Sequence, residues 1–149
     1  MQDAPTTSSS KADQSADHPL RVFLVEDSAV IRERLTESIS SLPHVMVVGH
    51  ADTESEAISA LDRVPSDAVV LDLQLRHGHG LNVLKALRGT PERPRMTVIV
   101  LTNFTSPQYR GRSMEFGADY FFDKSREFHR VREVLSDLAA GAMSPPVAH

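Results

Sequence analysis

The hexapeptide Asp67-Ala68-Val69-Val70-Leu71-Asp72 carries more structural information than any other part of the chain. Four consecutive apolar residues between two acids read as a short strand buried on both faces, the pattern of a parallel sheet covered by helices. A carboxylate has no place inside such a core. It fits at the carboxyl end of the strand, where open α/β sheets set their ligand crevice. A loop with two glycines, Leu73 to Gly80, follows Asp72 and leads into a helical pattern. Glu26, Asp27, Thr102 and Lys124 likewise stand directly after apolar runs, so the spacing predicts that these strand ends meet at one site.

The neighbouring segments repeat the same βα unit. Arg21 to Val25 is a strand that ends at Glu26-Asp27, and Ser28 is an N-cap for a helix with Ile31, Leu35, Ile39 and Leu42 inward, stopped by Pro43. Val45 to His50 is the second strand. Thr53 and Glu56 form a capping box for a helix carrying Ala57, Ile58, Leu61 and Val64 inward, ended by Pro65. Leu81, Leu84 and Leu87 mark a third helix, closed by Gly89 and Pro91. The β-branched run Met96 to Leu101 is the fourth strand. Ser106-Pro107 opens a helix to Phe116, with Gly117 as its C-cap. Gly111 weakens that helix by up to ~1 kcal/mol relative to Ala, which predicts the most mobile helix of the chain. Asp119 to Asp123 is the fifth strand, with one of Phe121 and Phe122 expected to face outward. Ser125 is expected to cap a last helix with Phe128, Val131, Leu135 and Leu138 inward.

Five βα units imply a parallel sheet with right-handed crossovers and helices on both faces. The expected fold is therefore α/β, a doubly wound five-stranded sheet in the flavodoxin-like order 2-1-3-4-5, whose switch point lies between strands 1 and 3. Glu26, Asp27 and Asp72 all fall there. The expected domain is residues 20–140, flanked by flexible tails at 1–19 and 141–149: the first is rich in Ser, Thr, Asp and Ala, the second holds Pro145-Pro146. With 149 residues, 40% hydrophobic and 24% charged, the chain suits one globular domain. The net charge of -4 argues against sequence-independent nucleic-acid binding. The absence of cysteine excludes disulfides and thiolate metal sites and fits a reducing cytosol. No run approaches the ~18 apolar residues of a membrane span, and the N-terminus lacks the features of a secretory signal.

Three carboxylates in one crevice repel one another, by roughly 4 kcal/mol for each close pair at an effective dielectric of ~20. They either hold a proton or bind a cation, and hard oxygen ligands favour Mg²⁺ or Mn²⁺. Lys124 and Thr102, after strands 5 and 4, add an ammonium and a hydroxyl suited to a three-oxygen anion. An aspartate among such groups can act as the nucleophile that accepts a phosphoryl group. Three acids and Lys124 sum to about −2, a divalent cation brings this to about 0, and a phosphoryl ester on Asp72 leaves about −1.

Residues 20 to 140 resemble the receiver domain of two-component response regulators, of the stand-alone, single-domain type. The motifs are Val25-Glu26-Asp27, Leu71-Asp72-Leu73-Gln74-Leu75 with Gly80, Val100-Leu101-Thr102, and Gly117-Ala118-Asp119-Tyr120-Phe121-Phe122-Asp123-Lys124. The resemblance implies a cytoplasmic signalling phosphoacceptor rather than an enzyme. Asp72 would take phosphate from a histidine kinase or phosphotransfer protein. Asp27, Asp72 and the main-chain carbonyl of Gln74 would ligate Mg²⁺, with Glu26 acting through water. Thr102 and Lys124 would bind phosphoryl oxygens, Thr102 and Phe121 would form the switch, and a downstream protein would read the surface of helix 4, strand 5 and helix 5. No direct nucleic-acid or membrane contact is expected.

The chain departs from the family pattern at Phe121, where Tyr is frequent, at Ser125, where a proline after a cis peptide is usual, and at Asn103, where a small residue is usual. Phe104 is expected to line the rim beside Gln74. His77 and His79 read as solvated loop histidines rather than metal ligands. An aspartate-nucleophile phosphatase would need a second acid where Gln74 stands, and a flavin domain a Ser/Thr/Gly loop where Glu26 and Asp27 stand. The remaining alternatives are a receiver-like scaffold acting without phosphate and a fragment of a longer DNA-binding regulator. Too few residues follow Gly141 for an effector domain, so for a full-length chain output is expected through protein contact.

Overall fold

The computed structural model describes residues 18–141; the predicted tails lie outside this range except for His18, Pro19 and Gly141. The elements alternate: β1 (Leu20–Val25), α1 (Ala29–Ser40), β2 (Val45–Ala51), α2 (Glu54–Arg63), β3 (Ala68–Leu71), α3 (Gly80–Arg88), β4 (Thr97–Thr102), α4 (Pro107–Glu115), β5 (Tyr120–Asp123) and α5 (Phe128–Ala139). All strand pairs of the sheet are parallel, and its order is β2-β1-β3-β4-β5. No helix among the described residues is long and apolar enough to cross a membrane.

The period of two along each strand divides the interior into two cores. Phe23, Val25, Val69, Leu71, Val98, Val100 and Phe121 pack with α2 and α3 on one side of the sheet. Val22, Leu24, Ala68, Val70, Ile99, Leu101 and Phe122 pack with α1 and α5 on the other. Every residue of β3 is buried. Phe121 and Phe122 are 5% and 4% exposed, so the expectation that one of them faces solvent is wrong. The alternation rule assigns them opposite faces, but helices cover both faces.

Helix starts follow the sequence with two exceptions. Ser28, Thr53 and Ser106 each accept a backbone N–H at N3. Glu56 does not close its capping box on Thr53; its carboxylate accepts the Asp52 N–H at 3.3 Å. Ser125 does not cap the last helix. Its N–H and hydroxyl both donate to Asp123 Oδ1, at 2.9 and 2.8 Å, so its oxygen is drawn into a turn ahead of α5. The helix instead starts after Glu127, which provides no side-chain cap bond. The peptide before Ser125 is trans.

Gly80 is fixed by close approach. A methyl group there would overlap the Asp72 carbonyl oxygen and lie 2.8 Å from Leu73 Cα. Neither is the end of a flexible side chain, so the backbone itself would have to move. Gly80→Ala is therefore expected to lower stability by about 3 kcal/mol, measured as the urea midpoint at unchanged slope. A midpoint equal to that of the wild type would show that the loop after β3 is free to shift.

Candidate functional site

The site is assembled where four strands run out. The Glu26 N–H donates to the Ala51 carbonyl at 3.0 Å, that of Asp72 to Val25 at 3.0 Å, and that of Lys124 to Thr102 at 2.9 Å. These backbone bonds continue the ladder for one residue and leave the side chains at the carboxyl edge, at the switch point between β1 and β3. Glu26 and Asp72 are only 2% and 4% exposed, and Thr102 is fully buried.

Lys124 holds the acids together. Its Nζ lies 2.6 Å from Asp72 Oδ2 and 2.8 Å from Glu26 Oε1. Burial works against the ammonium, but the bonds to Asp72 and Glu26 outweigh it and hold its pKa above the ordinary lysine value. Glu26 is pushed above the usual carboxylate range, because its burial outweighs the opposing help of Lys124 and the Ser28 N–H.

Glu26, Asp27 and Asp72 each offer an oxygen within 4.8 Å of the others. One ammonium among three carboxylates leaves an excess of negative charge, and an all-oxygen donor set fits a hard divalent cation. The oxygens differ in availability. Glu26 uses Oε1 for Lys124 and Oε2 for the Ser28 N–H, at 2.9 Å. Among the described residues Asp72 Oδ1 has only the long 3.3 Å contact from the Gln74 N–H. The Asp27 carboxylate, half-buried at the rim, accepts no hydrogen bond among the described residues. Asp27 and Asp72 are thus the freer donors.

Of the residues singled out in the sequence, Glu26, Asp27, Asp72 and Lys124 lie together. Thr102 ends the adjacent strand, and its Oγ1 accepts the Phe104 N–H at 3.1 Å. Gln74 is exposed in the loop after β3. Phe121 lies inside the sheet–helix core with the Arg110 guanidinium 4.7 Å from its ring centroid. Among the described residues, His77 and His79 join no metal cluster. His77 is exposed, but His79 is not a solvated loop residue. It is half-buried and caps α3, its Nδ1 accepting the Leu81 N–H at 3.1 Å. Burial pushes its imidazole below the ordinary value against the pull of Glu54 and Asp72, which favours the neutral ring that can accept. Its place just ahead of the helix was the only signal in the sequence.

Two further ties escaped the sequence reading. Arg88 donates from Nε and Nη2 to the Gly117 carbonyl, at 3.1 and 3.0 Å, and from Nη1 to Met96 at 2.8 Å, fastening the end of α3 to the turn after α4. Gly117 itself has φ +103°, the left-handed conformation that ends a helix most easily without a Cβ. Arg21 forms a two-pronged pair with Asp67, at 3.0 Å for each contact.

The strand order accords with the fold of the solved structures this chain is similar to. Over 119 residues it is 33% identical to a protein-glutamate methylesterase/protein-glutamine glutaminase of Carboxydothermus hydrogenoformans, covering 78% of this chain and 34% of that protein. Over 122 residues it is 28% identical to the DNA-binding transcriptional activator DevR/DosR of Mycobacterium tuberculosis, covering 82% and 55%. The chain thus spans between a third and about half the length of these relatives. Among solved structures, the response regulator domain of Thermotoga maritima CheB superposes with a TM-score of 0.72 at 25% identity, over 86% of this chain and 98% of that one. The family model of the response regulator receiver domain matches residues 22–136, from the first strand into α5. That match takes in β1 from Val22, the other four strands whole and all the strand-end residues described above, and the chain belongs to the response regulator receiver domain family.

Proposed function

We propose that Asp72 is the phosphoacceptor of a signalling switch, loaded by a histidine kinase or a phosphotransfer protein. The observation that carries this reading is Lys124 Nζ bridging Asp72 and Glu26 at 2.6 and 2.8 Å with Asp27 beside them. A carboxylate oxygen of Asp72 attacks the phosphorus of a donor phosphohistidine, the N–P bond breaks, and its electron pair leaves with the donor imidazole. Lys124 and the Thr102 hydroxyl then take phosphoryl oxygens. Asp27, Asp72 and the Gln74 carbonyl would hold Mg²⁺ or Mn²⁺, with Glu26 acting through water. The ion, when bound, supplies the positive charge that offsets the anion.

On this reading the chain is no enzyme beyond its own phosphoryl transfer and hydrolysis, and it acts in the cytoplasm. The methylesterase activity and the DNA binding are named for those relatives, of which this chain spans between a third and about half. Output goes to a downstream protein through the face of α4, β5 and α5. The Lys124 N–H bonds to the Thr102 carbonyl, which ties the two phosphoryl-binding positions to those elements. α4 buries only Ser113, against five residues in α3, so it is the element most cheaply displaced. Phe121 is already inward, and without a hydroxyl it gives up no hydrogen bond there. Coupling of this kind is typically worth about 1–3 kcal/mol.

Isothermal titration tests the metal half of this reading. Wild type is expected to bind Mg²⁺ at a single weak site, and Asp27→Ala to weaken it by about tenfold or more. Unchanged Mg²⁺ affinity in Asp27→Ala overturns the assignment.

A further inference from the structure

Three rings from three different elements stack beside the acidic cluster. Phe104, in the loop after β4, lies 5.0 Å from Tyr109 of α4 between centroids, at 22°. Tyr109 lies 5.8 Å from His79, the cap of α3, at 20°. His79 and Phe104 are 6.3 Å apart. All three residues are half-buried.

Each side of the stack is tied to a group of the site. The Phe104 N–H donates to Thr102 Oγ1 at 3.1 Å. This occupies the hydroxyl as an acceptor and leaves its hydrogen free to donate elsewhere. On the other side His79 pairs through its backbone with Gln74, whose N–H is directed at Asp72 Oδ1. The rings thus fasten the loop carrying Thr102 to the loop after Asp72. Tyr109 lies in the first turn of α4, where its N–H donates to Ser106 Oγ at 3.4 Å. Its hydroxyl makes no hydrogen bond among the described residues, so the ring alone carries the contact. A loop fixed in advance saves the ordering cost that binding would otherwise meet.

We propose that Phe104 and Tyr109 are positioning residues: stacked with His79, they hold the Thr102 hydroxyl ready for a tetrahedral anion at Asp72 and link its arrival to the first turn of α4. The proposal rests on the phosphoacceptor reading and adds residues that carry none of its chemistry.

The test is beryllofluoride affinity in saturating Mg²⁺, with Mg²⁺ affinity and melting temperature measured on the same proteins. Tyr109→Leu and Phe104→Leu are each expected to bind beryllofluoride about fivefold more weakly, the scale of one lost aromatic pair. The double variant should be little weaker than either single one, because both break the same unit. Tyr109→Phe keeps the ring and should match wild type, and Mg²⁺ affinity should hold throughout. Wild-type beryllofluoride affinity in either leucine variant overturns the proposal. So does a parallel fall in Mg²⁺ affinity, an equal loss in Tyr109→Phe, or full additivity in the double variant. The two leucine variants lie in different elements, so a folding failure in one leaves the other to decide. A wild type that binds no beryllofluoride overturns the phosphoacceptor reading itself; a wild type that binds it beside an unaffected Tyr109→Leu overturns this proposal alone.

Discussion

Asp72→Asn is expected to abolish phosphoryl uptake from acetyl phosphate in the presence of Mg²⁺, while the protein stays folded. The amide has nearly the shape of the carboxylate, so the buried position at the end of β3 is retained. What disappears is the anionic oxygen that attacks phosphorus. Lys124 keeps Glu26 at 2.8 Å as a charged partner, and removing one of three clustered acids relieves repulsion, so thermal stability should not fall. The readout is the intact mass after incubation, with beryllofluoride binding as a second measure that needs no covalent step. Uptake in Asp72→Asn equal to that of wild type would place the nucleophile elsewhere.

Lys124→Met is expected to cost about 3 kcal/mol of stability in metal-free buffer. The lysine stem is replaced by a chain of similar length, so packing is largely kept and the lost charge dominates. Glu26 and Asp72 would then be buried with no ammonium between them, and removing one partner of a buried ion pair typically costs about 3–5 kcal/mol. All three side chains are 11% exposed or less, so solvent offers little relief. Added Mg²⁺ should restore much of the loss, because a divalent cation at Asp27 and Asp72 takes over the neutralising role. Urea unfolding with chelator and with Mg²⁺ measures both effects. Equal stability of variant and wild type in chelator would mean that the pairs at 2.6 and 2.8 Å contribute nothing net.

The strand order and the position of the acidic cluster were legible because each strand is an apolar run ended by a polar residue. In a doubly wound sheet, chain order alone then locates the crevice. The misreadings have physical causes. One of Phe121 and Phe122 was expected to face outward under a rule for sheets with one wet face. Ser125 has the composition of a cap, yet Asp123 two residues earlier takes both its donors. The stack of Phe104, Tyr109 and His79 brings together a loop, a helix turn and a cap, and their meeting depends on loop paths that no periodicity encodes. The Arg88 fork onto Gly117 is equally hidden, since arginine on a helix reads as a solvated residue until the neighbouring turn is in place.

The division of the interior by the sheet has a practical consequence at Phe121 and Phe122. They are neighbours in the chain but belong to separate cores, one facing α2 and α3, the other α1 and α5. A fluorine label on each ring would give two resonances from adjacent residues, reporting on opposite layers of the molecule. Phe121 carries Arg110 of α4 over its ring, and Phe122 carries Arg130 of α5, so each label also senses one helix of the proposed output face. Motion transmitted through one layer would then register at one label while its neighbour served as an internal reference.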